Sequence, residues 1–113
     1  MAIMEQIVGD YLVLSPQGRL EANAGAEEFE RQVQDRVAEG RLHLVVDLHA
    51  VSYLDSRGIR ALVRAYTTTV RFGGSFRLVG PTILVRAALE ITKLTNVLQV
   101  YDSVEAATRS LPT

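Results

Sequence analysis

The apolar positions of the chain fall into blocks of two different periods. Leu42, Leu44, Val45, Val46 and Leu48 form a nearly unbroken run. It is too short for a long helix and rich in β-branched residues, which predicts a fully buried central strand. After Leu54-Asp55-Ser56-Arg57-Gly58 the period changes. Ile59, Leu62, Val63, Tyr66 and Val70 recur at helical spacing and predict a helix to about Arg71 or Phe72, stopped by Gly73-Gly74.

Upstream, Glu5 to Val8 and Tyr11 to Ser15 read as short strands joined by Gly9-Asp10, with Pro16, Gln17 and Gly18 breaking the second. A helix from about Asn23 or Ala24 to Glu39 carries Ala26, Phe29, Val33 and Val37 on its apolar side. Glu27, Glu28, Glu30, Arg31, Asp35 and Arg36 fill the other side, Asn23 serves as N-cap and Gly40 as stop. Downstream, Phe76 to Val79 is a parallel strand, and Gly80-Pro81-Thr82 opens a helix with Leu84, Val85, Ala88, Leu89 and Ile91 as apolar positions. Val97 to Val100 is a last strand. Asp102 or Ser103 then caps a terminal helix with Val104, Ala107 and Leu111 on one side. The order ββαβαβαβα predicts one α/β domain over residues 1–113, with a mixed, mostly parallel sheet of about five strands and helices packed against it.

Composition narrows the chemistry. Cysteine is absent, so neither disulfides nor thiolate metal sites are available. A net charge of −1 gives no bulk attraction to nucleic acid or an anionic membrane. No apolar stretch approaches the roughly 20 residues of a membrane span, and the N-terminus lacks the pattern of a secretory signal. A cytoplasmic protein is the expectation. No phosphate-binding glycine loop occurs, and His43 and His49 have no further imidazole at metal spacing, so no metal site is expected. A Ser-His-Asp hydrolase built on Asp55, Ser56 and His49 is the sharper enzyme reading. Leu54 stands where a nucleophile elbow needs glycine, and Asp55 adjoins Ser56 instead of backing the histidine.

Ser56 lies where a strand hands over to a helix, at the end of the sheet where α/β proteins place their sites. Its plainest task, shared with Asp55, is to cap that helix. A helix N-terminus also tolerates an anion, so a phosphate on Ser56 would alter surface charge without refolding the domain. Arg57, Arg60, Arg64 and Arg71 fall opposite the helix's apolar positions. They form either a solvated face or a docking surface for an acidic partner.

The stretch L-V-V-D-L-x-x-V-S-Y-L-D-S-x-G, Leu44 to Gly58, resembles the signature of STAS domains, specifically of bacterial anti-sigma-factor antagonists. Gly18-Arg19-Leu20-Glu21 is similar to the family's G-x-L-D segment, and Gly73-Gly74 and Pro81 fall at family-like distances. The resemblance implies a non-enzymatic module without a cofactor of its own. Its unphosphorylated form would bind an anti-sigma factor that is also a serine kinase, freeing the sigma factor. The kinase would use ATP to phosphorylate Ser56 and switch binding off, and a serine phosphatase would reset it. The implied contact residues are Glu21, Asp55, Ser56, Arg57, Gly58, Arg60 and Arg64, on a monomer or weak dimer that binds neither nucleic acid nor membrane. Arg57 departs from the family, where a second small hydroxyl residue is common, and could pair with a phosphate on Ser56. Glu21 stands where many members carry Asp. The alternative within the same family is a constitutive binding subunit of a lipid-transport ATPase or a stress-signalling scaffold.

Overall fold

In the computed structural model, which describes residues 1–110, β1 (Ala2–Val8) and β2 (Tyr11–Leu20) form an antiparallel hairpin in register from Ala2↔Gln17 to Val8↔Tyr11. Pro16 does not end β2 as expected. The Gly18 N–H donates to the Ala50 carbonyl (2.9 Å), so position 16, two residues back, points its missing N–H the same way. There it meets the gap between the segments of β2 paired to the next two strands, and no ladder bond is lost.

The first helix, α1 (Ala26–Ala38), starts later than the sequence suggests, and its N-cap is Gly25, not Asn23. Glu21 and Ala24 exchange backbone hydrogen bonds of 2.8 and 3.1 Å, and this tight turn uses up the residues before the helix. Gly25 sits at φ +91°, and a Cβ there would meet Met1 Sδ at 2.5 Å. A second correction concerns Glu30, which is buried on the inner side of α1 with Phe29 and Val33.

The central apolar run forms β3 (His43–Asp47), parallel to β2. A further strand that the sequence reading did not separate, β4 (Val51–Leu54), pairs parallel with the far half of β2 through Gly18↔Val51 and Leu20↔Leu54. It follows a turn in which the Val51 N–H donates to the Leu48 carbonyl (3.0 Å). The chain continues through α2 (Ser56–Arg71), β5 (Ser75–Val79), α3 (Ile83–Ile91), a 3-10 turn (Leu94–Asn96), β6 (Gln99–Tyr101) and α4 (Val104–Thr108). The described residues thus hold six strands, in the order β1-β2-β3-β5-β6 with β4 beside β2. β6 begins two residues later than expected, leaving Val97 exposed outside it. Leu111, expected on the last helix, lies outside the described residues.

Because β2 runs parallel to β3 and β4, and β3 and β6 run parallel to β5, the strand C-terminal ends share one edge, from which the helices begin. One sheet face packs Leu12, Leu14, Leu44, Val46 and Leu78 against Phe29, Leu62, Val85 and Leu89 of α1, α2 and α3. The other packs Tyr11, Val13, Val45 and Val79 against Ala107 of α4. That second face also contains Arg77, which is 3 % exposed. Its Nη1 donates to Tyr11 Oη (2.6 Å) and the Ala107 carbonyl (2.7 Å), and its Nε donates to Gln99 Oε1 (3.1 Å), so the cation holds α4 to the sheet. In α3 only Val85 and Leu89 are buried. Leu84 and Ile91, expected inside, face solvent because the nine-residue helix is apolar around most of its circumference and can bury one side only.

Candidate functional site

The strand-to-helix junction is built from the backbone outward. Asp55, in extended conformation at the N-cap of α2, accepts from the Gly58 N–H at Oδ1 (2.8 Å) and from the Ala22 N–H at Oδ2 (3.0 Å). One carboxylate thereby closes the first turn of α2 and ties it to the loop between β2 and α1. Burial acts to raise the Asp55 pKa, but the donating N–H groups of Ala22, Gly58 and Arg57 outweigh it and hold the carboxyl below its ordinary value. Beneath the turn, Gly58 rides on β2. A Cβ at this position would lie 2.0 Å from the Leu20 carbonyl oxygen, so no side chain fits without moving the helix.

With Asp55 serving as cap, Ser56 is the first residue of α2 and is exposed. Arg60 and Arg64 follow it at i+4 and i+8 on the same side of the helix, both exposed. Glu21 is half-buried next to Ala22 and pairs with Arg19 (2.9 Å), whose guanidinium lies 4.3 Å from the Tyr53 ring centroid. The structure therefore brings Glu21, Asp55, Ser56 and Gly58 together, with Arg60 and Arg64 leading away from them.

Arg57 is the exception. Its side chain turns from the expected solvent face into the seam between α1 and α2, where Nη2 donates to Glu30 Oε2 (2.5 Å). The Glu30 carboxylate raises the Arg57 pKa above its usual value. Arg64 Nη1 stands 3.7 Å from the other oxygen of Glu30. Sequence reasoning missed Glu30 although a signal was present. The residue lies four after Ala26 and three before Val33, on the same helical stripe that the apolar positions define.

Neither histidine approaches Ser56 through any hydrogen bond. His49 Nδ1 pairs with Asp47 Oδ1 (2.9 Å), and His43 Nδ1 meets Ser75 Oγ (3.0 Å). Among the described residues no three or more His, Asp or Glu side chains gather as a metal site, and no helix is long and apolar enough to cross a membrane.

The sequence profile of the STAS domain matches residues 2–107. A candidate anti-sigma factor antagonist of Thermotoga neapolitana is 29 % identical over 103 residues, covering 90 % of each chain. The crystal structure of a candidate anti-sigma factor antagonist from Thermotoga maritima superposes with a TM-score of 0.89 at 27 % identity, over 95 % of this chain and 92 % of that one. The Bacillus cell fate determinant SpoIIAA in its phosphorylated form shares the fold at 17 % identity, with a TM-score of 0.74 over 96 % of this chain and 98 % of its own.

Proposed function

From the premise that this chain belongs to the STAS domain family, we propose that it is an anti-sigma-factor antagonist switched by phosphorylation of Ser56. Unmodified, it binds an anti-sigma factor that is also a serine kinase, and the sigma factor is released. The kinase transfers the γ-phosphoryl group of ATP to Ser56 Oγ, leaving ADP, while the hydroxyl proton is lost. A serine phosphatase hydrolyses the ester and restores binding. The setting is the cytoplasm, and the domain carries no cofactor of its own.

The observation that carries this reading is the division of labour at the junction. Asp55 takes the capping bonds, so Ser56 Oγ is surplus to the fold and displayed. Asp55, Gly58 and Leu20 fix the backbone beneath it. A phosphate there adds about 1.5 to 2 negative charges to a rigid surface bearing Arg60 and Arg64. Repulsion costing about 2–3 kcal/mol in the complex lowers affinity roughly 30- to 150-fold, enough for a switch. The names given to the Thermotoga relatives support the partner class.

The test uses the full chain with the serine kinase of its own host. With ATP, intact mass should rise by one phosphate, and Ser56→Ala should abolish the gain. Ser56→Asp should weaken the complex. Equal binding of Ser56→Asp and the unmodified chain would dismiss the switch.

A further inference from the structure

The seam between α1 and α2 holds one carboxylate and two arginines in an unfinished arrangement. The Glu30 side chain is 9 % exposed. Its Oε2 accepts from Arg57, but Oε1 is buried with no hydrogen-bond partner, and Arg64 stands 3.7 Å from it, in ion-pair range only. Arg57 Nη1 is likewise buried and unpartnered. A guanidinium and a carboxylate can form two parallel hydrogen bonds, and this pair forms one. Arg64, 60 % exposed, waits beside the oxygen that Arg57 leaves unused.

Ser56 directly precedes Arg57, and a phosphate on it would need partners. The Gly58 N–H already serves Asp55, whose own charge repels a second anion. The cationic side chains that follow Ser56 on α2 are Arg57, next in sequence, and Arg60, one turn on. We infer that phosphorylation of Ser56 draws Arg57 away from Glu30 and that Arg64 closes onto Glu30 in its place. Glu30 is thus a positioning residue that decides which arginine meets the phosphate. The exchange leaves no buried carboxylate unpaired, which would otherwise be strongly destabilising. It also withdraws Arg64 from the exposed face of α2 at the moment the phosphate neutralises Arg57 and Arg60. The net charge of the face changes only by that of the phosphate, but its remaining positive charge is redistributed, from Arg64 on the open face of α2 to Arg57 beside the phosphate.

This inference rests on Ser56 being the acceptor, and its test reads the isolated domain so that the two stand or fall separately. Phosphoserine encoded at position 56 of the full chain supplies the modified form, and side-chain nitrogen NMR follows the guanidinium groups. The expected result is a shift of Arg57 together with slowed exchange at Arg64; in Glu30→Gln, the Arg64 response disappears. An Arg57 signal unchanged by the phosphate overturns the exchange, even if partner binding is lost. Thermal unfolding gives a second readout free of Glu30 substitutions. Phosphorylation should lower the midpoint by several degrees more in Arg64→Gln than in the parent, with Arg64→Lys restoring most of the difference. Equal shifts in all three chains would also overturn it.

Discussion

α2 and α3 begin at the same edge of the sheet, yet the two starts are held very differently. The first turn of α2 is bound to two other segments: the Asp55 carboxylate reaches Ala22, and Gly58 lies against the Leu20 carbonyl. The first turn of α3 has no hydrogen bond to another segment: the Val85 N–H donates to Thr82 Oγ1 at a long 3.3 Å, the Val85 side chain alone is buried against the sheet, and Ile83 beside it is 91 % exposed. The lesson concerns display. A side chain presented to a partner gains precision when the backbone below it is over-determined, and Ser56 stands on such a backbone.

The sharpest way to break this contrast is Gly58→Ala. Alanine gains about 1 kcal/mol of helix propensity over glycine, whereas a methyl 2.0 Å from a backbone oxygen forces the helix to move. The expected net loss is about 3 kcal/mol or more in urea unfolding, with a weakened partner complex. A stabilised Gly58→Ala chain would show that α2 is not pinned to β2.

Asp55→Ala comes next, at about 1–2 kcal/mol, because it removes a cap and an inter-segment bond together. The same carboxylate gives a pH signature. Its folded pKa is depressed, so its contribution is fully present above the unfolded value near 3.8 and is lost as pH falls through the lower folded value. Stability of the parent should therefore fall more steeply below about pH 4 than that of Asp55→Asn. Parallel acid limbs in the two unfolding series would remove Asp55 from the account.

At the α3 start the effects shrink. Thr82→Ala should cost about 0.5 kcal/mol, at the low end for a cap with so long a bond. Ile83→Ser should change stability by no more than about 0.5 kcal/mol, since the side chain leaves nothing buried behind. A loss above about 1 kcal/mol at Ile83 would mean that α3 is covered in solution.

Much of this was legible in advance, for identifiable reasons. The β3 run and the switch of period at Ser56 depend on local pattern, and both stand. Strand β4 was hidden because Val-Ser-Tyr-Leu is too short to show a period, and its pairing with β2 depends on a turn at Leu48. Glu30 and Arg57 were read as solvent-facing by residue type. Their mutual pairing, 27 residues apart, is what allows both to turn inward.

The sequence by itself determined the succession of elements, the place of Ser56 at a helix start and the family pattern around it, since these follow from neighbours along the chain. Only the tertiary structure decided that Asp55 and not Ser56 carries the cap, that Arg57 is spent on Glu30, and that α3 leaves its aliphatic side bare. Each of those outcomes depends on a partner far away in sequence, Ala22 for Asp55, Glu30 for Arg57 and the sheet for α3, and such partners are brought in only by the packing of helices on the sheet.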